Sequence, residues 1–97
     1  MSVQPDDALG QVQNVRVTVP AEARHGSYAT LALVRHSGHG FTIDFCQVQP
    51  TGDDQDVPAD VVSRVHLPPT LMPSLLRTLQ ANVAAYEGQF GSIRDVP

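Results

Sequence analysis

The sequence predicts an α+β domain: a small antiparallel sheet of three or four strands followed by one long C-terminal helix. Three observations carry this. Residues 15–19 and 41–46 alternate apolar and polar side chains, the period of two of a half-buried strand. Residues 28–34 form a short apolar run, and from residue 71 to 87 the apolar side chains recur at three and four. Ninety-seven residues, 41% of them hydrophobic, make one domain near the low end at which a single core sustains a fold.

Composition narrows the function before any motif does. Six Arg, no Lys and ten Asp or Glu give a net charge of −4, which speaks against a nucleic-acid binder. No apolar run approaches the roughly 20 residues a membrane helix needs, and MSVQPDDALG lacks the features of a secretion signal. One cysteine, Cys46, cannot form an intrachain disulfide, so a reducing, cytoplasmic compartment is expected.

Along the chain, the first ten residues (with Pro5, Asp6, Asp7 and Gly10) read as a flexible tail. Val15, Val17 and Val19 alternate with Arg16 and Thr18 as a strand that Pro20 ends. Tyr28 to Val34 is apolar on both parities, which predicts a central strand covered on both sides. Ser37-Gly38-His39-Gly40 is a hairpin turn. Beyond it, Phe41, Ile43 and Phe45 are expected in the core, with Thr42, Asp44 and Cys46 facing outward or into an interface. Residues 48–60, with two prolines and four aspartates, predict a mobile acidic loop. Val61, Val65 and Leu67 then share one parity of a further strand, and Arg64 and His66 the other.

Pro68 and Pro69 break that strand, and Thr70 is the expected N-cap of the helix. Leu71, Met72, Leu75, Leu76, Leu79, Val83 and Tyr86 fall within an arc of about 140° on a helical wheel. Pro73 sits in the first turn, where its missing N–H costs nothing. The helix is expected to run from about Leu71 to Glu87, stop near Gly88 and pack on one sheet face, with Phe90 and Ile93 folding back onto the core. The organisation predicted is a tail over 1–10, one domain over 11–93 that includes the 48–60 loop, and a tail over 94–97.

The residues also carry a resemblance. Tyr28-Ala29 and His36-Ser37, leading to Phe41-Thr42-Ile43-Asp44-Phe45, are similar to the hairpin of a bacterial family catalogued as domain of unknown function 3467. Val62-Ser63-Arg64-Val65-His66-Leu67-Pro68 resembles its following strand. The segment from Leu75 to Val83, then Tyr86-Glu87 and Phe90-Gly91-Ser92-Ile93, resembles its helix and tail, so the likeness spans about residues 12 to 93. Thr30 stands where asparagine is expected, and the acidic loop is longer. The resemblance implies one small folded unit and no assigned activity.

Candidate sites compete with plain structural readings. His36 and His39 form an H-x-x-H pair in the turn, with Cys46 one strand away, and a transition metal is conceivable there. No third ligand stands at a matched spacing, so no metal and no cofactor is expected. Asp53, Asp54, Asp56 and Asp60 lack the glycine and glutamate register of a calcium loop. Cys46 has no helix N-terminus or basic cluster to activate it, and Ser27, Ser37 and Ser63 lie in no nucleophile turn. The reading is non-enzymatic. Asp44 and Arg64 suggest a cross-strand ion pair or a polar patch read by a partner, and His66 lies beside them. Asn82, inside the apolar arc of the helix, needs a hydrogen-bond partner if buried, at a strand edge, in the C-terminal tail or across a helix contact.

Counting faces predicts an oligomer. One helix covers one side of a small sheet, while Ala29, Leu31 and Leu33 on one side and Tyr28, Ala32 and Val34 on the other all want cover. The expected function is a small homodimeric interaction, assembly or regulatory module that binds itself and another protein. The dimer would bury the second sheet face or the alanine-rich helix back (Ala81, Ala84, Ala85). Its competitor is the N-terminal segment through Val19 folding over the open face. A single-stranded nucleic-acid-binding dimer and a metal-binding protein using the hairpin histidines are the alternatives.

Overall fold

The computed structural model describes residues 2–3, 14–50 and 56–95. Its elements in chain order are β1 (Ser2–Val3), β2 (Val15–Arg16), β3 (Leu31–Ser37), β4 (Gly40–Val48), β5 (Ala59–Leu67) and α1 (Met72–Phe90). Single 3-10 turns at Ala21–Ala23 and Pro69–Leu71 punctuate the connections. The architecture is α+β: a three-stranded antiparallel sheet, in the order β3-β4-β5, followed by one helix. β1 and β2 form a separate two-stranded pair. The expected tail at residues 1–10 lies outside the described residues apart from β1, as do residues 51–55 of the acidic stretch.

The hairpin forms over residues 31–48 for the reason its turn residues give. A two-residue turn, Gly38-His39, joins Ser37 to Gly40, and the His39 N–H donates to Ser37 Oγ at 3.1 Å. Gly40 has φ +155°, and a Cβ there would stand 2.5 Å from the Leu67 carbonyl oxygen, so the strand crossing requires glycine. At the far end Thr30 Oγ1 accepts the Val48 N–H at 3.2 Å. The departure from the expected asparagine thus keeps a side-chain acceptor at the sheet end. Beyond β4 the chain stays paired further than the acidic composition predicts. The Gln49 N–H donates to the Pro58 carbonyl, Gln49 Nε2 to Asp60 Oδ2, and β5 begins at Ala59.

Three expectations are corrected. The central strand is β4, not the apolar run at 28–34; β3 begins at Leu31 and is an edge, and Tyr28 precedes it, 76% exposed. Apolarity on both parities marks a strand that wants cover on both faces, but it does not say that neighbours in the same chain supply the cover. Next, the register shifts between Phe45 and Cys46: Phe45 pairs with Ser63 but Cys46 with Val61, leaving Val62 as an extra residue. This bulge moves Val61 off the face of Val65 and Leu67 and onto that of Arg64 and His66. Finally, Asp44 and Cys46, expected to face outward or into an interface, are already the buried residues of β4 within the single chain, whereas Phe41, Ile43 and Phe45, expected in the core, are only half-buried.

The helix also departs from expectation in its ends and its packing. It starts one residue late, with Leu71 rather than Thr70 at the cap and no side-chain capping bond. It runs through Gly88 to Phe90 and ends at Gly91, whose φ of +101° suits glycine and whose N–H donates to the Glu87 carbonyl. Pro73 lies in its first turn, as expected. Leu71, Met72 and Leu75 are half-buried and Ser74 is buried. From there on the apolar stripe is open: Leu76, Leu79, Val83 and Tyr86 are about half exposed and Phe90 is 66% exposed. Phe90 and Ile93 do not fold back to close a core; Ile93 is exposed, its N–H held by Glu87 Oε2 at 2.8 Å.

Candidate functional site

Pairing across the three-stranded sheet assigns its paired residues to two faces. One face carries Val34, Phe41, Ile43, Phe45, Val65 and Leu67 and is mostly apolar, with His36 opposite Phe41 and Ser63 opposite Phe45 as its polar members. The other is divided. Its end near the turn holds Arg35, Thr42, Asp44, Arg64 and His66; its far end holds Leu31, Leu33, Cys46 and Val61.

The polar end is built around Asp44. Arg64, its direct cross-strand partner, grips the carboxylate with both arms, Nε to Oδ1 at 2.6 Å and Nη2 to Oδ2 at 3.0 Å. Arg35 reaches in diagonally from β3, Nη1 to Oδ2 at 2.8 Å. The Asp44 side chain is 4% exposed while both arginine side chains remain about half exposed, so the guanidiniums roof the carboxylate. Hydrogen bonds from Arg64 first, and from Arg35 next, hold Asp44 well below the usual carboxylate range, against the smaller opposing effect of burial. Asp44 reciprocally raises Arg64 above its ordinary value. Beside this cluster Thr42 Oγ1 and His66 Nδ1 share a hydrogen bond at 3.0 Å. Among the described residues, no buried side-chain nitrogen or oxygen is left without a partner.

Of the candidates read from sequence, Asp44, Arg64 and His66 come together on this face. Asn82 does not join them. It is exposed on α1, and its Nδ2 donates to the Thr78 carbonyl of its own helix at 2.9 Å, so the expected buried amide is a helix-surface one. Arg35 was not among the sequence candidates, although its signal was present. A two-residue turn at Gly38-His39 pairs Ser37 with Gly40 and so Arg35 with Thr42, one diagonal step from Asp44.

The histidines divide between the faces. His36 shares the apolar face with Phe41, their rings 6.0 Å apart and tilted, whereas His66 lies on the opposite face and His39 in the turn. Together they rim a shallow hollow at the turn end with Pro68 and Leu67. Among the described residues no three His, Cys, Asp or Glu side chains gather as a metal site. No described helix is long and apolar enough to cross a membrane. Cys46 is buried, its thiol directed at the Asp44 carbonyl oxygen 3.7 Å away.

Fold and site define a small α+β domain with one self-satisfied polar patch and two open apolar surfaces. The chain belongs to the family described as Protein of unknown function (DUF3467), whose model matches residues 1–95. No curated protein and no solved structure matches it.

Proposed function

We propose that this chain is a non-enzymatic homodimeric interaction module of the cytoplasm, an assembly or regulatory subunit that completes its own core by association and presents a sheet face to a second protein. One observation carries the reading. Among the described residues Cys46 is the only buried apolar side chain; the other two buried residues are Asp44 and Ser74. A chain that buries so little apolar surface has almost nothing to offset the entropy of folding, about 1–2 kcal/mol per residue for the backbone alone. Such chains fold with their partner rather than before it.

The divided sheet face suits protein recognition. Arg35 and Arg64 spend some of their donors on Asp44 and keep the rest toward solvent, next to exposed Leu31, Leu33 and Val61. Arginine beside exposed aliphatic side chains is a composition that protein interfaces favour. A nucleic-acid groove is less well served, since Asp44 neutralises part of that charge and the net charge is −4.

Light scattering at micromolar concentration tests the reading. A species of twice 10.4 kDa that does not bind hydrophobic dye is expected. A stable folded monomer that binds no dye overturns it. Filter binding of single-stranded oligonucleotides at low salt is expected to show no retention; steeply salt-dependent retention would favour the nucleic-acid alternative instead.

A further inference from the structure

Resting on that dimer, we infer that the two copies exchange helices: α1 of each lies across the apolar sheet face of the other, the face of Val34, Ile43, Phe45 and Val65. Three features of one chain point to the second copy's helix as the occupant.

The first is a match of dimensions. Nineteen helical residues span about 28 Å, and the nine residues of β4 about 30 Å. Three strands at about 4.8 Å spacing make a surface about as wide as one helix. One helix therefore covers one face, and the described residues hold one α-helix, whose apolar stripe, Leu76 to Phe90, is uncovered along that length. The missing cover and the spare helix have the same size and chemistry. In a two-fold dimer one contact implies its mirror, so both vacancies on both chains close at once.

The second feature is the connection. β5 ends at Leu67 and α1 begins at Met72, joined through Pro68 and the turn Pro69–Leu71. Pro68 is extended (φ −69°, ψ 150°), and two consecutive prolines leave little freedom to redirect the helix. On the course they set, α1 runs with its stripe open, not back across its own sheet. Short stiff hinges of this kind favour exchange of an element between copies over closure within one.

The third is area. A helix about 28 Å long and about 11 Å wide covers about 300 Å² of sheet, and in a two-fold exchange each chain gives one stripe and one face. That is about 600 Å² per partner, at the lower bound of a standard stable interface.

Inter-chain disulfide formation tests the exchange, in a Cys46→Ser background so that each chain carries one thiol. One population carries Val34→Cys; three others carry Leu76→Cys, Leu79→Cys or Val83→Cys. Each is checked for fold by circular dichroism and for mass by light scattering, and the Val34 chain is then co-refolded with each helix variant and oxidised. The expected result is a covalent mixed dimer with at least one helix position and little covalent dimer from any population alone. Efficient coupling of Val34→Cys chains to one another would place two β3 edges side by side and overturn the exchange. Coupling of helix variants only to themselves would make it a helix–helix dimer and overturn it equally. A dimeric preparation with no mixed coupling at any of the three positions overturns the exchange and leaves the dimer standing. A monomer by light scattering overturns both. In the double variant Val34→Cys/Leu79→Cys, bond formation within one chain would show the helix folding back on its own sheet, again against exchange.

Discussion

The polar end of the sheet and the stripe of α1 solve the same problem of desolvation in opposite ways. Asp44 is buried, yet its carboxylate is fully served by Arg35 and Arg64 from the two flanking strands. Leu79, Val83 and Tyr86 carry large hydrophobic side chains, yet stand about half exposed. Hydrogen bonds and ion pairs are directional and short, so strands a few ångströms apart complete them within one chain. Apolar burial is a matter of area, and one sheet and one helix that do not lie on each other cannot supply it. Among the described residues every buried polar side-chain atom finds its partner within the chain, whereas the apolar stripe of α1 finds no cover there.

The sharpest way to break that contrast is a charge on the stripe. Leu79→Asp is expected to abolish the dimer and with it the cooperative melt, because an unpaired buried charge costs several kcal/mol against a total stability of about 5–15. Light scattering and thermal circular dichroism read this together; a folded variant with an unshifted melt would mean that the stripe stays in solvent. Phe45→Ala comes next, at about 3–5 kcal/mol if its half-buried ring is enclosed in the dimer. A loss under about 1 kcal/mol in denaturant melts would mean that the apolar face is left open.

Gly40→Ala tests the hairpin alone. Its Cβ would meet the Leu67 carbonyl oxygen at a backbone angle side chains rarely adopt, so a loss of roughly 1–3 kcal/mol is expected with the dimer preserved. The polar patch is probed by acid. Asp44 titrates below its unfolded value of about 3.9, so its contribution is fully present above that pH and is lost as pH falls toward its folded value. The melting temperature is expected to decline below about pH 4, and Asp44→Asn to flatten that slope while lowering the plateau at neutral pH. The smallest effect belongs to Asn82→Ala, which trades one exposed bond within the helix for a better helix former and should stay within about 0.5 kcal/mol. A larger loss would place Asn82 inside the dimer interface.

How far the sequence reached differs by element. The hairpin was legible because glycine chemistry and alternation fix a turn and its flanking strands locally, and the helix because its stripe repeats over five turns. Arg35 beside Asp44 was implied by the turn length alone. Val62 was not legible as a bulge: an extra residue in one strand is defined by the partner strand, and it reversed the face of Val61. Nor was the burial of Asp44, which depends on two arginines arriving from different strands and roofing it. By itself, then, the amino-acid sequence determined the hairpin, the strand after it and the helix, their order and the apolar surfaces each must hide, since these follow from periodicity within a few residues; the strand expected over 15–19 shrinks to Val15–Arg16. The tertiary structure alone decided that β4 is central, that the polar patch closes on itself and that α1 leaves its own sheet uncovered. Those outcomes depend on register and on the direction in which Pro68 and Pro69 send the helix, and both are relations between distant segments that no local pattern encodes.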